Sequence, residues 1–164
     1  MIACMNPFMK KLLTFLAMVV LASFFAGCTT TTGPGYNAVK DTFPALAANT
    51  GRIFIYRDAI FNPSKMPAVL LNGEQVGLSK AQAFFYVDRP AGEYKVEISG
   101  ESGPPASFTL GSGQTLYVRI GLHSNFGMDP NTGMVNNHQY PEVVDDTTAR
   151  HELASCKYTS GEQK

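Results

Sequence analysis

Tryptophan is absent, cysteine occurs three times, neither sign of charge is in excess, and no apolar run reaches membrane-spanning length. Thirteen basic and thirteen acidic side chains in 164 residues leave no cationic stripe to release counterions from a phosphate backbone, which argues against nucleic acid as a partner. Nor is there a polybasic segment to hold an anionic lipid surface. The longest apolar stretch, 14 uncharged residues from Leu12 to Phe25, falls short of the roughly 20 that a spanning helix needs. No phosphate-cradling glycine loop and no dinucleotide fingerprint occurs. With 45% hydrophobic residues, what is there fits one globular domain plus extra segments and excludes a large multidomain enzyme.

The short apolar run has a context. Lys10 and Lys11 precede it, and small Ala26 and Gly27 follow it, directly before Cys28. A positive region, an apolar region and a small-residue boundary in that order form a secretory signal, residues 1–27; Met9 would begin a compact signal, and Met1 and Met5 are equally formal starts. From Cys28 onward the chain carries 11 basic and 13 acidic groups, a formal charge of −2. Phe25-Ala26-Gly27-Cys28 resembles the bacterial lipobox, with Phe25 in place of the usual Leu. That resemblance implies cleavage between Gly27 and Cys28, acylation of Cys28, and attachment to the membrane through lipid. Several acyl chains hold a protein where one does so only marginally, because each buried methylene contributes about 0.8 kcal/mol. Thr29 after the cysteine implies, by the same resemblance, the periplasmic side of the outer membrane of a Gram-negative bacterium. The alternative is an ordinary secreted protein with Cys28 disulfide-bonded to Cys156. If Cys28 is acylated and Cys4 leaves with the signal, Cys156 is alone, and burial as a small hydrophobe is its expected fate.

Residues 28–50, rich in Thr, Gly and Pro, read as a flexible tether that would hold the domain about 25 Å from a bilayer, with Val39, Phe43 and Leu46 as the side chains able to dock. From Gly51 the texture changes to short β-branched and aromatic runs punctuated by turns. "RIFIYR" is a strand. "AVLLNGEQVGL" carries Asn72-Gly73, a type I′ hairpin signal. "AFFYVD" and "EYKVEIS" flank Pro90-Ala91-Gly92, a type I turn. "SFTL", "GSGQ" and "TLYVRIG" repeat the pattern, with Leu116, Val118 and Ile120 on one face and Tyr117 and Arg119 on the other. "LHSNFGMDPNTGMVNNHQ" reads as an irregular loop and "YPEVV" as a last strand. Ala149, Leu153 and Cys156 recur at helical spacing behind Asp145-Asp146, which predicts one short helix. Residues 157–164 read as a disordered tail. Residues 51–156 are therefore expected to form an all-β domain, a small antiparallel sandwich with one short C-terminal helix.

"GRIFIYR", "VLLNGEQVGL", "FFYVDRPAGEYKVEI" and "LYVRIG" resemble a bacterial lipoprotein family known as domain of unknown function 2846, and are similar to PEGA-type modules. The resemblance implies a prealbumin-like or immunoglobulin-like sandwich. It brings no activity and no catalytic residue.

His123, His138 and His151 are 15 and 13 residues apart, which matches no local metal-ligand pair. Asp129 to Gly133 lacks the acids of a calcium loop and reads as a turn. Around Ser102, Pro104 breaks a nucleophile elbow. His123 and Ser124, adjacent on a strand, point to opposite faces. Asp145 and Asp146 complement a helix dipole. No metal, cofactor or catalytic set is expected. The remaining lead is aromatic: Tyr56, Phe84, Phe85, Tyr86 and Tyr117 lie on strands whose outer face, if open, would offer rings to sugars or to a partner protein. Arg57 and Arg119 are expected to snorkel along the sheet. The expected function is a non-catalytic structural or protein-interaction module of the envelope with a protein partner. The alternatives are a glycan-binding accessory module using the five aromatics and an envelope hydrolase using His123 or His138.

Overall fold

Alternation decides which side chains meet. In "RIFIYR" and "AFFYVD" every second residue points to the same side of its strand, so each strand presents one aliphatic-rich and one aromatic face. The computed structural model describes residues 31–128 and 135–161. Its elements are α1 (Tyr36–Val39), β1 (Thr50–Arg57), β2 (Ala68–Leu71), β3 (Glu74–Leu78), β4 (Ala83–Pro90), β5 (Gly92–Ile98), β6 (Ala106–Leu110), β7 (Thr115–Met128), β8 (Val135–Val144), α2 (Asp146–Leu153) and β9 (Lys157–Tyr158). A five-stranded sheet, in the order β8-β7-β1-β4-β9, packs on a four-stranded sheet ordered β3-β2-β5-β6. The expected small all-β sandwich with a short C-terminal helix is present, but the expected antiparallel arrangement does not hold throughout: β1 pairs in parallel with β7, and β4 with β9. Among the described residues no helix is long and apolar enough to cross a membrane.

The turns act as their chemistry requires. Asn72 and Gly73 have φ of +50° and +85°, the left-handed pair that closes the β2–β3 hairpin. Asn72 also accepts from Lys95 N at 2.8 Å and donates to Glu93 O at 3.3 Å, fastening the hairpin tip to β5. Pro90-Ala91-Gly92 does more than reverse the chain. β4 and β5 lie in different sheets, so this turn carries the chain across the sandwich, and Gly111 to Gln114 does the same between β6 and β7.

Between the sheets lies an aliphatic core of Ile53, Ile55, Val69, Leu71, Val76, Val87, Val96, Ile98, Leu110, Val118 and Ile120, with Phe85 as its one fully buried ring. Gly77 makes room for that ring, since a Cβ there would stand 2.6 Å from Phe85 Cζ. The opposite face of the five-stranded sheet is equally closed. Phe54, Tyr56, Phe84, Tyr86 and Tyr117 form a second core with Tyr36, Ala149, Leu153 and Cys156, against which Val39, Phe43, Val144 and Tyr158 pack. The domain thus has three layers: two sheets and a cover built from both ends of the described chain.

Three further expectations are corrected. The flexible tether does not extend through residue 50: from Thr31 on the segment is docked, because Tyr36 is buried, its N–H reaches Cys156 O at 3.1 Å, and Tyr158 N–H reaches Pro34 O at 2.8 Å. The disordered tail does not begin at residue 157: β9 pairs in parallel with β4, where Tyr158 adds its ring to the second core. The irregular loop after Gly121 is a ladder. β7 and β8 pair from Tyr117↔Val144 through Ser124↔Asn137 to Met128↔Val135. Cross-strand backbone bonds satisfy the Asn-rich arms whatever their side-chain propensities. Asp129 to Gly133, read as a turn, lies outside the described residues.

Candidate functional site

The aromatic surface is closed. Tyr56, Phe84, Phe85, Tyr86 and Tyr117 are all buried, none more than 8% exposed, so their place as an open binding surface is corrected. Phe85 points into the sheet–sheet core and the other four point into the second core. The physical reason is the cover. Tyr36 meets Phe84 edge-on at 5.5 Å, Phe43 meets Tyr86 at 4.9 Å, and Phe54 stacks on Tyr117 at 5.5 Å. Such pairs add about 0.5–1.5 kcal/mol each beyond their buried area.

Polar clamps hold the cover in place. The Arg52 guanidinium grips both Asp88 oxygens at 2.7 and 2.8 Å, donates to Pro44 O at 2.8 Å and lies over the Tyr86 ring at 4.4 Å. One side chain thereby ties the N-terminal segment to the sheet, and its hydrogen bonds to Asp88 raise its pKa above the ordinary range. On α2, Glu152 takes the Tyr56 hydroxyl at 2.5 Å and Arg119 at 2.5 Å, while Arg119 also pairs with Glu142. Burial, together with the bond to Glu152, raises the Tyr56 pKa. Arg119 spans sheet and helix rather than lying along the sheet. Asp145 caps α2, accepting from Thr148 N at 3.0 Å.

Among the described residues a dense group of ionisable side chains outside the cover gathers at the end of β1. Arg57, 1% exposed, donates to Lys65 O at 2.9 Å and Ser79 O at 3.2 Å, and to the carbonyls of Phe61 and Asn62. It is a buried clamp on the β1–β2 connection, not a snorkelling residue. Burial lowers its pKa, and Glu101 opposes that shift. The Glu101 carboxylate, 2% exposed, pairs with Lys65 at 2.5 Å and accepts from Gln139 N at 3.2 Å. Buried Gln139 in turn takes the Ser79 hydroxyl at 2.5 Å.

His138 stands at the rim of this group, its Nδ1 3.4 Å from Glu101 Oε2 and 3.4 Å from Ser102 Oγ. Serine, histidine and acid are therefore neighbours, a placement the sequence does not signal, because the Asn-rich composition up to Gln139 predicts a loop where β8 begins. The arrangement lacks the geometry of a nucleophilic relay. A relay needs the acid on one ring nitrogen and the serine on the other; here both contacts fall on Nδ1, at the outer limit of hydrogen-bond reach. The adjoining cleft, lined by Ile55, Arg57, Ser79, Ala83 and Phe85 among others, has no room for even a water-sized sphere. His151 lies exposed on α2. His123 pairs with His138 across the ladder, its side chain lying outside the described residues with that of Ser124. Gly27 and Cys28 also lie outside the described residues. Among the described residues no group of three or more His, Cys, Asp or Glu side chains converges as a metal site.

Cys156 is 1% exposed, and burial pushes its thiol up to about 12. It is a core residue rather than a nucleophile.

A two-sheet sandwich whose outer aromatic face is sealed by both ends of the described chain defines a small all-β domain. The profile of the family described as "protein of unknown function (DUF2846)" matches residues 47–140, more than half of the chain, and the protein belongs to that family. Comparison with curated proteins and with solved structures returns no match.

Proposed function

We propose that this protein is a lipid-anchored β-sandwich of the cell envelope, a non-catalytic structural or protein-interaction module held at the periplasmic face of the outer membrane by acyl chains on Cys28. The observation that carries this reading is the ordered succession of Lys10-Lys11, the 14-residue apolar run and Ala26-Gly27-Cys28, which is the arrangement that export followed by acylation requires. The non-catalytic half is supported by the use of the side chains: rings and ionisable groups are engaged in packing and clamping, and the Ser102–His138–Glu101 contact has the wrong nitrogen geometry for a relay.

The test is Cys28→Ala in the producing cell, read by incorporation of labelled palmitate, by the mass of the mature N-terminus and by separation of inner from outer membranes. The native chain is expected to carry label and to sediment with the outer membrane; the variant is expected to lose both. Unchanged label and fractionation in the variant would refute the anchor. In-cell crosslinking of the native chain would then identify the protein partner that an interaction module requires.

A further inference from the structure

Among the described residues five large apolar side chains stand in solvent: Ile60 at 63%, Phe61 at 57%, Met66 at 44%, Val143 at 42% and Leu78 at 38%. Four of these five gather at one end of the sandwich. Ile60, Phe61 and Met66 belong to the connection between β1 and β2, and Leu78 ends β3, where the following Ser79 N–H donates to Pro67 O at 2.9 Å. Folding ordinarily buries such residues, and a cluster left out by a monomer marks a contact surface.

The connection is also held from within. Buried Arg57 binds the carbonyls of Phe61, Asn62 and Lys65, Lys65 N–H closes back on Asn62 O at 3.1 Å, and Asn62 takes a left-handed φ of +49°. The backbone's polar groups turn inward while Ile60, Phe61 and Met66 stay outside. A loop built this way presents apolar side chains at little further cost in ordering.

The course of the chain identifies what they meet. Thr31 Oγ1 donates to Ala81 O at 2.9 Å, in the connection between β3 and β4. That connection lies at the same end, since Ala83 pairs with Arg57 in the β1–β4 ladder. Only three peptide steps separate Thr31 from Cys28, and three extended residues reach at most about 10 Å. Acyl chains on Cys28 therefore cannot leave this end of the domain standing about 25 Å off. Lys80 and Lys157 flank the same end, Lys157 by its pairing with Ala83. Side chains of this kind lay their stems on apolar surface and their ammonium groups among phosphates. The base of the β7–β8 hairpin leaves from the same end.

From this we infer that the β1–β2 loop is a membrane-contact surface: in the anchored protein Ile60, Phe61 and Met66 enter the interfacial layer of the bilayer that carries the Cys28 lipid, so that the domain is seated on the membrane at this end. The inference rests on the anchor reading above. Its occupant is a phospholipid surface, and the anchor supplies most of the affinity while the loop sets the orientation.

The absence of tryptophan gives a direct test. Phe61→Trp, and at the far end Ser112→Trp in the exposed turn before β7, each create a single emitter. The mature lipidated protein is reconstituted into phosphatidylethanolamine–phosphatidylglycerol vesicles with and without brominated acyl chains, and flotation is measured on the same samples. The expected result is a blue shift and at least about twofold quenching by brominated lipid for F61W, with S112W unaffected. Flotation without quenching of F61W overturns the seating and leaves the anchor standing. Failure of the native chain to float overturns both. A blue shift of F61W in the vesicles that brominated lipid does not quench means that protein rather than lipid covers the loop, and it overturns the proposal as well. Ile60→Ser with Phe61→Ser, both exposed, is expected to retain flotation while quenching of a Met66→Trp probe added to it falls back toward the S112W level.

Discussion

The two faces of the five-stranded sheet are built from the same strands by different means. The inner face is aliphatic but for one fully buried ring, and it is completed by a second sheet whose strands announce themselves in the sequence. The outer face is aromatic and is completed by Tyr36, Phe43, α2 and Tyr158, pieces of chain from the two ends of the described fold. Aliphatic side chains interdigitate between flat layers, whereas rings on a sheet leave gaps that other rings fill edge-on. The outer face can therefore be sealed by short, irregular segments that form no sheet of their own. Clamping does the rest: Arg52 holds the N-terminal segment, and Glu152, through Tyr56 and Arg119, holds α2.

If the outer face is a true core, truncating its centre is as damaging as truncating the inner one. Phe54→Ala removes a ring that touches Tyr36, Phe43, Phe84, Tyr86 and Tyr117 and is expected to cost about 3–5 kcal/mol in urea denaturation. A loss below about 1 kcal/mol, the range of exposed surface positions, would mean that the cover is loosely applied.

The N-terminal cover is the sharper half of the comparison, because its composition read as a tether. Tyr36→Ala is expected to destabilise the fold by about 2–3 kcal/mol. It should also admit protease between residues 36 and 49 before the sheets open, seen as early N-terminal fragments in a limited digest. Indifference of both readouts to the substitution would restore the tether.

What the sequence made legible follows the same division. The inner core was readable because alternation in "RIFIYR", "EYKVEI" and "TLYVRI" assigns faces directly, and Asn72-Gly73 fixes a hairpin. Alternation also separated Phe84 and Tyr86 from Phe85. It carries no information on what covers the outward pair, and that ambiguity produced the aromatic binding surface. Tyr36, Val39 and Phe43, at spacings of three and four, were the available signal that the segment has an apolar side; Thr, Gly and Pro around them hid it. The ladder after Gly121 was hidden for another reason, since Asn and Gly mark turns by propensity while backbone pairing in a long hairpin overrides it. The Arg57 group was not legible at all: Lys65, Ser79, Glu101 and His138 come from four separate stretches that only the sandwich brings together.

Cys156 reports on the seal of the outer face from beneath α2. With its thiol pushed up to about 12 by burial, the folded state keeps the proton that an unfolded thiol, with its ordinary value near 9, gives up. The contribution to stability is complete below about pH 9 and is lost as pH rises toward 12; at pH 10 the loss is about 1 kcal/mol. Cys156→Ala should remove that part of the alkaline slope, and disulfide-exchange labelling of the native chain at pH 8 should follow global unfolding. Labelling at the rate of a free thiol would show that the cover opens on its own.

The smallest effect belongs to the helix cap, and it separates the two halves of the cover. Asp145 is solvent-exposed and holds Thr148 through both its backbone N–H and its hydroxyl. Asp145→Ala should therefore fray only the first turn of α2, with a slight fall in Tm that Asp145→Ser reverses. Hydrogen exchange should quicken in α2 while the Tyr36 amide, bonded to Cys156 O, keeps its protection. Equal acceleration at both places would show that helix and N-terminal segment open as one unit; the separate clamps at Glu152 and Arg52 predict that they do not.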